Sequence, residues 1–185
     1  LLELFKSEAP DNIDILYNLG MAYSDLSELN SAKINLRRLL EISPSHVNGR
    51  VALGVALMRD NQIEAALIEL NKAVEADPEN PWAHRNLGAG YLRLGHYDKA
   101  AHHLKIATGL NPEDERSWYG LGQAYENIGK LAKADTAYRK VLEINDLGDV
   151  AGQAKQGLSS IAEKTLKSAT PSIPRMDAVM YCVSA

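Results

Sequence analysis

Apolar residues recur along this chain at two spacings, one short and one long. Between Pro81 and Pro112 they fall three or four positions apart in two successive runs, which is the spacing of one face of an α-helix. The runs are Ala83, Leu87, Tyr91 and Leu94, then Tyr97, Ala100, Ala101, Leu104 and Ala107. This pattern predicts two amphipathic helices joined by a short turn, which together make a helical hairpin.

The long spacing is 34 residues, and it repeats the hairpin along the chain. Shifting the sequence on itself by this distance aligns several columns of identical or similar residues. The columns are Leu19, Leu53, Leu87 and Leu121, each followed by glycine; Tyr23, Leu57, Tyr91 and Tyr125; Ala32, Ala66, Ala100 and Ala134; Leu36, Leu70, Leu104 and Tyr138; and Pro44, Pro78 and Pro112. We therefore predict four hairpins in one repeat domain, at about 13–46, 47–80, 81–114 and 115–148.

The glycine column carries information about packing. Glycine inside a helix costs about 1 kcal/mol relative to alanine, so four glycines at one position predict a helix contact too close for a side chain. The alanine column predicts the same close approach from the second helix of each hairpin. Polar residues before the first helices serve as N-caps, and the prolines after the second helices end them. The predicted N-caps are Asn12, Asn80 and Asp114, with Pro81 at a first helical position.

These columns resemble the tetratricopeptide repeat, a helix-turn-helix unit of the same period. The resemblance covers roughly residues 1–146 and implies an all-α fold, a right-handed superhelical solenoid of antiparallel helical hairpins. One column departs from the family pattern. The position before Leu-Gly holds Leu16, Arg50, His84 and Trp118, so the family's tryptophan stands there in the last copy alone.

Both ends of the repeat domain carry additional elements. Residues 1–12 are predicted to be the tail helix of a preceding truncated repeat, because Leu2, Phe5 and Pro10 fall in the repeat columns. Residues 149–168 predict a C-terminal capping helix. Its apolar side consists of Val150, Ala154, Leu158, Ile161, Ala162 and Leu166, and its water-facing side of Lys155, Gln156, Ser159, Glu163 and Lys167. Residues 169–185 predict a linker and an apolar tail, which is either part of this domain or the start of a further one.

Composition narrows the range of functions. The 185 residues carry a net charge of -4 with a pI near 5.7, which gives no global argument for binding nucleic acid. The single cysteine, Cys182, cannot form an intramolecular disulfide and fits a reducing compartment, so we expect a cytoplasmic location. No apolar run approaches the ~20 residues of a membrane-spanning helix, and we expect no membrane association.

The sequence contains no recognisable set of catalytic residues. His102 and His103 are adjacent, so on a helix their side chains point about 100° apart and are poorly placed to share a metal ion. Cys182 has no recognisable histidine partner nearby. The column glycines lie inside predicted helices and not in a phosphate-binding loop. We therefore predict no enzymatic activity, no metal and no cofactor.

The family resemblance implies a binding surface. In such proteins the first helix of each hairpin lines a concave groove that takes an extended peptide or a partner helix. Here this face offers aromatic, methionine, arginine and asparagine side chains, which suit apolar anchoring, carboxylate binding and backbone hydrogen bonds. The alternative is a merely solvated helix face. The predicted groove residues are Tyr17, Asn18, Met21, Val51, Val55, Arg59, Trp82, Arg85, Asn86, Arg93, Arg116, Tyr119 and Gln123.

The charges on this face are unevenly distributed. Asp14 and Asp25 lie in the first repeat, and arginines run from Arg59 to Arg116 in the later ones, which predicts an acidic ligand segment at that end. The alternative is a solvated mixture of charges. Tyr17 and Met21 stand where the family's carboxylate clamp requires lysine and asparagine, which argues against binding of a chaperone's C-terminal tail.

The asparagine ladder of some family members is also incomplete here. Asn18 and Asn86 share its column, but Ala52 and Gly120 interrupt it. Backbone gripping of a ligand is therefore predicted at two positions only.

Two classes of function follow from these observations. The first is a protein-protein interaction scaffold that binds a peptide or partner helix in the groove. The second is the recognition or regulatory arm of a larger multidomain enzyme. In addition, the apolar spacing of Met176, Val179, Met180 and Val183 suggests self-association, with this tail docked on another copy.

Overall fold

The computed structural model describes residues 11–169, and the helices in this range follow one another without any β-strand between them. The predicted tail helix before residue 11 and the apolar tail after residue 169 lie outside the described residues. The helices are α1 (Ile13–Asp25), α2 (Leu29–Ile42), α3 (Val47–Arg59), α4 (Ile63–Ala76), α5 (Pro81–Arg93), α6 (Tyr97–Leu110), α7 (Glu115–Asn127), α8 (Leu131–Ile144) and α9 (Asp149–Ala169).

The first eight helices form four hairpins of constant dimensions. The first helices α1, α3, α5 and α7 have 13 residues each, and the second helices α2, α4, α6 and α8 have 14. Each first helix packs on its own second helix, on the preceding second helix and on the neighbouring first helices. The apolar core therefore continues from one hairpin to the next, as a solenoid requires.

The close contact predicted from the glycine column is confirmed. A Cβ atom placed on Gly20 would lie 2.5 Å from Leu36, and one on Gly54 would lie 2.6 Å from Leu70. Gly122 meets Tyr138 at 2.5 Å in the same way. The Leu-Gly leucines and the column alanines are buried as predicted. Their exposed fractions are 0–3 %, for Leu19, Leu53, Leu87, Leu121, Ala32, Ala66, Ala100 and Ala134.

The turn inside each hairpin contains one residue with left-handed backbone geometry, a feature that the sequence analysis did not identify. Gly95 and Gly129 adopt φ of 72° and 81°, whereas Ser27 and Asn61 adopt 62° and 59° without being glycine. The next residue donates its N–H back to the fifth carbonyl before it, as Lys130 does to Tyr125 at 2.9 Å. Every hairpin thus closes with the same helix C-cap.

The predicted N-caps are confirmed at two positions and need correction at a third. Asn12 and Asn80 accept backbone N–H groups of the following helix, and Pro81 begins α5. At Asp114 the carboxylate caps no backbone group; it accepts from the Ser117 hydroxyl and the Arg85 guanidinium instead. His46 was not predicted, but its Nδ1 accepts the N–H of Gly49 at 2.9 Å.

The column that departs from the family pattern keeps one chemical property in three hairpins. Arg50, His84 and Trp118 each donate a side-chain N–H to the carbonyl of the proline six residues earlier, at 2.6, 3.0 and 2.8 Å. This bond joins the start of each first helix to the loop that leads into it. Different side chains at one position therefore perform one structural task.

Candidate functional site

A pocket of about 380 Å³ opens between the first helices α1, α3 and α5. We call it the central pocket. It lies on the face of these helices that points away from their second helices. Its lining residues are Tyr17, Met21, Ser24, Asp25, Asn48, Val51, Ala52, Val55, Arg59, Trp82, Arg85 and Asn86.

The walls of the central pocket are largely apolar. Trp82 is 51 % exposed and Met21 is 39 % exposed, so two large apolar side chains of the walls are in contact with water. Val51 and Val55 come from the middle of α3 and pack against the hydrophobic core beneath. Because the repeat period puts Tyr17 beside Val51 and Met21 beside Val55, neighbouring helices contribute to one continuous surface.

Arg59 lies at the end of the pocket where α3 ends. Its guanidinium donates to the hydroxyl of Ser24 at 3.2 Å and lies 3.8 Å from the carboxylate of Asp25. The Asp25 side chain is 79 % exposed, so water screens most of this attraction. The neutral hydroxyl of Ser24 therefore makes the closest contact with the guanidinium, whose charge and remaining N–H donors stay available to a ligand.

Two other predicted groove arginines are engaged within the protein. The guanidinium of Arg85 pairs with Asp114 at 3.3 Å, and both side chains are largely buried. Arg93 donates to the backbone carbonyl of Met58 and lies outside the pocket lining. Arg116 is exposed on α7 and has no ion pair within residues 11–169. The predicted row of four available cations is thus reduced, since the charge of Arg85 is already neutralised.

The asparagine side chains of the concave face are also partly used in hydrogen bonds within the protein. Asn86 lines the pocket, but its amide donates to the carbonyl of Trp82 one turn earlier at 2.8 Å. Asn18 is exposed and does not line the pocket. Asn48, which lies one period before Trp82 and was predicted on the same helix face, is exposed and lines the pocket.

Tyr119 and Gln123 occupy the same face of α7 but do not reach the central pocket. The Gln123 amide donates to the Tyr119 hydroxyl at 3.0 Å, and the Tyr119 ring lies 5.8 Å from the ring of Tyr138. Burial, followed by the nearby charge of Glu126, raises the pKa of Tyr119. These two side chains satisfy each other and belong to the packing of the fourth hairpin.

Glu126 connects the fourth hairpin to α9. Its carboxylate accepts hydrogen bonds from the Tyr138 hydroxyl at 2.8 Å, the Ser160 hydroxyl at 2.7 Å and the Lys164 ammonium at 2.6 Å. We call these four residues the C-terminal latch. Burial alone would raise the pKa of Glu126, but the hydrogen bonds from Lys164, Ser160 and Tyr138 outweigh it and leave that pKa below its ordinary value. The carboxylate is therefore charged at neutral pH and fixes α9 on the repeat stack.

A histidine pair lies inside the third hairpin. The Nδ1 atoms of His84 and His103 are 3.0 Å apart, and the Tyr91 ring stacks on His103 at 5.5 Å. Because His84 Nε2 donates to the Pro78 carbonyl, neutral His84 accepts at Nδ1 and His103 donates. Burial, then the neighbouring His84 and His102, lower the pKa of His103 to about 4.

The described residues offer neither a metal site nor a membrane-spanning helix. Within residues 11–169, no three His, Cys, Asp or Glu side chains are arranged to hold a metal ion. None of the helices in this range combines the length and apolarity needed to cross a lipid bilayer. What the described surface offers is a concave, mostly apolar pocket with a cation at one end, a kind of site that binds by complementarity.

These features define a helical-repeat protein with a concave pocket, and comparison with known families identifies the repeat. Tetratricopeptide repeat models match residues 13–46 and 85–149, and a TPR repeat model matches residues 54–95. The chain belongs to the tetratricopeptide-repeat family. Comparison with curated proteins found no significant match.

Solved structures with the same architecture include several repeat proteins. PilF of Pseudomonas aeruginosa is 26% identical with a TM-score of 0.75, over 84% of this chain and 69% of that one. TTC0263, a thermophilic TPR protein of Thermus thermophilus, is 26% identical with a TM-score of 0.73, over 85% and 87% of the two chains. The predicted fold class, an all-α right-handed superhelical solenoid of hairpins, is confirmed.

A third structure shares the fold at lower identity. It is the first TPR of Spaghetti (RPAP3), bound to the HSP90 peptide SRMEEVD. The two chains are 23% identical with a TM-score of 0.61, over 65% of this chain and 93% of that one.

Proposed function

We propose that this protein is an interaction scaffold that binds a peptide or a partner helix of another protein on its concave face, without catalysing a reaction. The observation that carries the proposal is the central pocket between α1, α3 and α5, with Trp82 and Met21 exposed on its walls. A large aromatic side chain held open to solvent in a concave site is a typical anchor of a protein interface. The peptide-bound relative with the same fold supports this class of function.

We further propose that the bound segment is acidic. Arg59 is held at the end of the pocket by the Ser24 hydroxyl and a solvent-screened contact with Asp25, and Arg116 is exposed on the same face two hairpins later. A carboxylate on the ligand would gain a charge-assisted hydrogen bond from Arg59 without displacing an existing buried ion pair. The peptide bound by the Spaghetti domain, SRMEEVD, is itself rich in acidic residues.

The domain limits belong to the same proposal. Residues 13–148 form the recognition array, and residues 149–168 cap it with a helix whose Lys155, Gln156 and Glu163 face water. A cytoplasmic location fits the single cysteine of the chain.

The second candidate is a recognition or regulatory arm of a larger multidomain enzyme. It requires the same groove and adds a catalytic domain elsewhere in the protein. Self-association through residues 175–185 also stays a prediction, since these residues lie outside the described range.

The binding proposal is tested with an array of short amidated peptides of graded net charge, each with one leucine or phenylalanine. We expect acidic members to bind and to quench Trp82 fluorescence, with affinity falling as salt increases. The substitution Arg59→Glu should weaken their binding about tenfold, which corresponds to about 1.4 kcal/mol. Trp82→Ala should weaken binding of all members, whatever their charge.

The matched control is Arg37→Glu, which makes the same change of charge at an exposed position of a second helix. It should leave the affinities unchanged. If Arg59→Glu and Arg37→Glu behave alike, the acidic preference is wrong, and if Trp82→Ala binds every peptide as tightly as the parent protein, the central pocket is not the binding site.

A further inference from the structure

The last helix, α9, is placed on the repeat stack in the manner of a first helix. A Cβ atom on Gly157 of α9 would lie 2.5 Å from the ring of Tyr138 in the preceding second helix. Gly120 of α7 meets Leu104 of its own preceding second helix in the same way, at 3.2 Å. Because Leu104 and Tyr138 occupy one repeat column, α9 corresponds to α7 with a shift of 37 residues, three more than the repeat period.

This correspondence gives α9 a degenerate copy of the repeat motif. Leu158 and Ser159 stand where α7 has Leu121 and Gly122. On α7 this face is covered by α8, its hairpin partner, and Leu121 is only 3 % exposed. The residues of α9 that would face a hairpin partner of its own are Leu158, Ile161, Ala162 and Thr165.

Within the described part of the chain no further helix covers that face of α9, although Ile161 at its base is 7 % exposed and packs on the core of the fourth hairpin. It forms one wall of a groove of about 470 Å³, in which α8 contributes Asp135 and Arg139. Leu166, at the far end, is 68 % exposed, and Ala162 is exposed as well. Both belong to the apolar side that the sequence predicts for this helix. We call Leu158, Ile161, Ala162, Thr165 and Leu166 the open face of α9.

We propose that the open face of α9 is a second docking site, which binds one amphipathic helix of a partner protein in the place that α8 takes on α7. This site would continue the helix interfaces already present in the molecule. In each of the four hairpins a 14-residue second helix covers the equivalent face of a 13-residue first helix. A fifth helix of the same kind would extend the stack without rearranging it.

The shape of the groove also indicates which kind of helix would fit it. Ser159 and Ala162 are small, so a partner helix can approach closely and place one large apolar side chain over Ser159, as Leu36 lies over Gly20. Asp135 and Arg139 pair with each other at 2.7 Å on the rim of the groove, where charges of the partner's polar side can join them. The partner chemistry is thus an amphipathic helix with a central leucine or larger residue and a charged border.

The open face is preformed, which favours binding. Glu126 holds α9 through Ser160 and Lys164, whose side chains lie on another side of the helix from the open face. Gly157 fixes the same helix against Tyr138. A partner helix would therefore meet a rigid surface and lose little affinity to ordering it.

The probe is a stapled helical peptide with the sequence of α8, residues 131–144, because an unconstrained helix of this length is marginal in water. It is titrated into the full-length, isotope-labelled chain while amide resonances are followed by NMR. We expect shifts centred on Leu158 to Leu166 and on Asp135 and Arg139. The substitution Leu166→Glu should weaken this binding about tenfold, without changing the helical circular dichroism, because Leu166 is exposed.

The control is Leu147→Glu, which introduces the same charge at a 91 % exposed leucine outside the open face, and it should bind like the parent protein. Shifts confined to the concave face, or equal binding by Leu166→Glu and Leu147→Glu, would overturn the proposal. A further arm uses Met180→Asp. If the peptide binds the open face only in that variant, the chain's own residues after 169 occupy the site, and a partner helix does not.

Discussion

The central pocket and the concave face of the fourth hairpin are built on the same repeat columns with opposite results. In the pocket, Tyr17, Val51 and Met21 border open space. In the fourth hairpin the corresponding Tyr119 and Gln123 bind each other at 3.0 Å and so use their polar groups within the protein. The columns that face the second helices are nearly constant, whereas the columns on the concave face vary and decide whether a surface can accept a ligand.

Tyr138 stands where the earlier hairpins have leucine, and this change explains the tight connection between the fourth hairpin and α9. Its buried ring lies between Gly122 and Gly157, and its hydroxyl needs a partner, which Glu126 supplies at 2.8 Å. The other oxygen of Glu126 then reaches α9. One enlarged core residue thus couples the last hairpin to the terminal helix.

The largest expected effect comes from adding a methyl group at the column glycines. Gly122→Ala should lower the free energy of unfolding by about 3 kcal/mol, because Tyr138 is held on both sides and cannot move aside. Gly54→Ala should cost about 2 kcal/mol, since it meets the more adaptable Leu70. Urea unfolding measures both.

Gly109 provides the control for this comparison, because a Cβ atom there meets nothing within 4 Å. Gly109→Ala should stabilise the protein by about 0.5 to 1 kcal/mol. If the three variants have the same free energy of unfolding, the close contacts do not distinguish the fourth hairpin from the second.

An intermediate effect is expected on acidification, in two pH windows that overlap only near pH 4. The pKa of His103 is lowered to about 4, so the unfolded chain binds this proton more readily, and stability should fall between pH 6.5 and about 4. The full shift corresponds to at most about 3 kcal/mol, and with partial exposure we expect about 1 to 2 kcal/mol. The pKa of Glu126 is also lowered, so its contribution is present at neutral pH and is lost below about pH 4.5.

The second hairpin offers a replacement for the histidine pair. Arg50 and Glu69 occupy the same two columns as His84 and His103 and form an ion pair at 2.8 Å. The double substitution His84→Arg and His103→Glu should therefore remove the loss of stability between pH 6.5 and 4, and leave the loss below pH 4.5. An unchanged upper window in chemical unfolding at graded pH would show that these histidines are not its cause.

The smallest effect concerns the hairpin turns. Ser27 adopts φ of 62° in the first hairpin, where glycine is favoured, so Ser27→Gly should stabilise the protein by about 1 kcal/mol. Gly129, with φ of 81° at the other end, should lose about the same amount when replaced by alanine. In thermal unfolding, Ser27→Gly should raise the Tm and Gly129→Ala should lower it. Tm shifts of the same sign would contradict this account.

The candidate site could be predicted only in part. Trp82, Met21 and Val55 could be placed on the concave face because the repeat period fixes which side of each first helix they occupy. The availability of the arginines could not be predicted in the same way. Arg85 is neutralised by Asp114, which is 29 positions away in the chain and lies at the start of the next first helix.

The column of Leu16, Arg50, His84 and Trp118 shows a signal that was present but not used. Compared with the family pattern, the column lacks tryptophan in every copy except the last. Arg, His and Trp side chains all donate N–H groups, and the structure gives each the same proline carbonyl as acceptor. Comparing hydrogen-bonding capacity within the column, and not residue identity, would have predicted this bond.

The sequence by itself determined the repeat, the hairpins, the glycine contacts and the helix face that the candidate binding residues share. Each of these follows from spacing along the chain, because helix geometry converts a fixed interval into a fixed direction. The tertiary structure alone decided which charges are neutralised inside the molecule, how Tyr138 ties α9 to the stack, and that one face of α9 stays open among the described residues. These features depend on side chains that are distant in sequence and meet only when the hairpins stack.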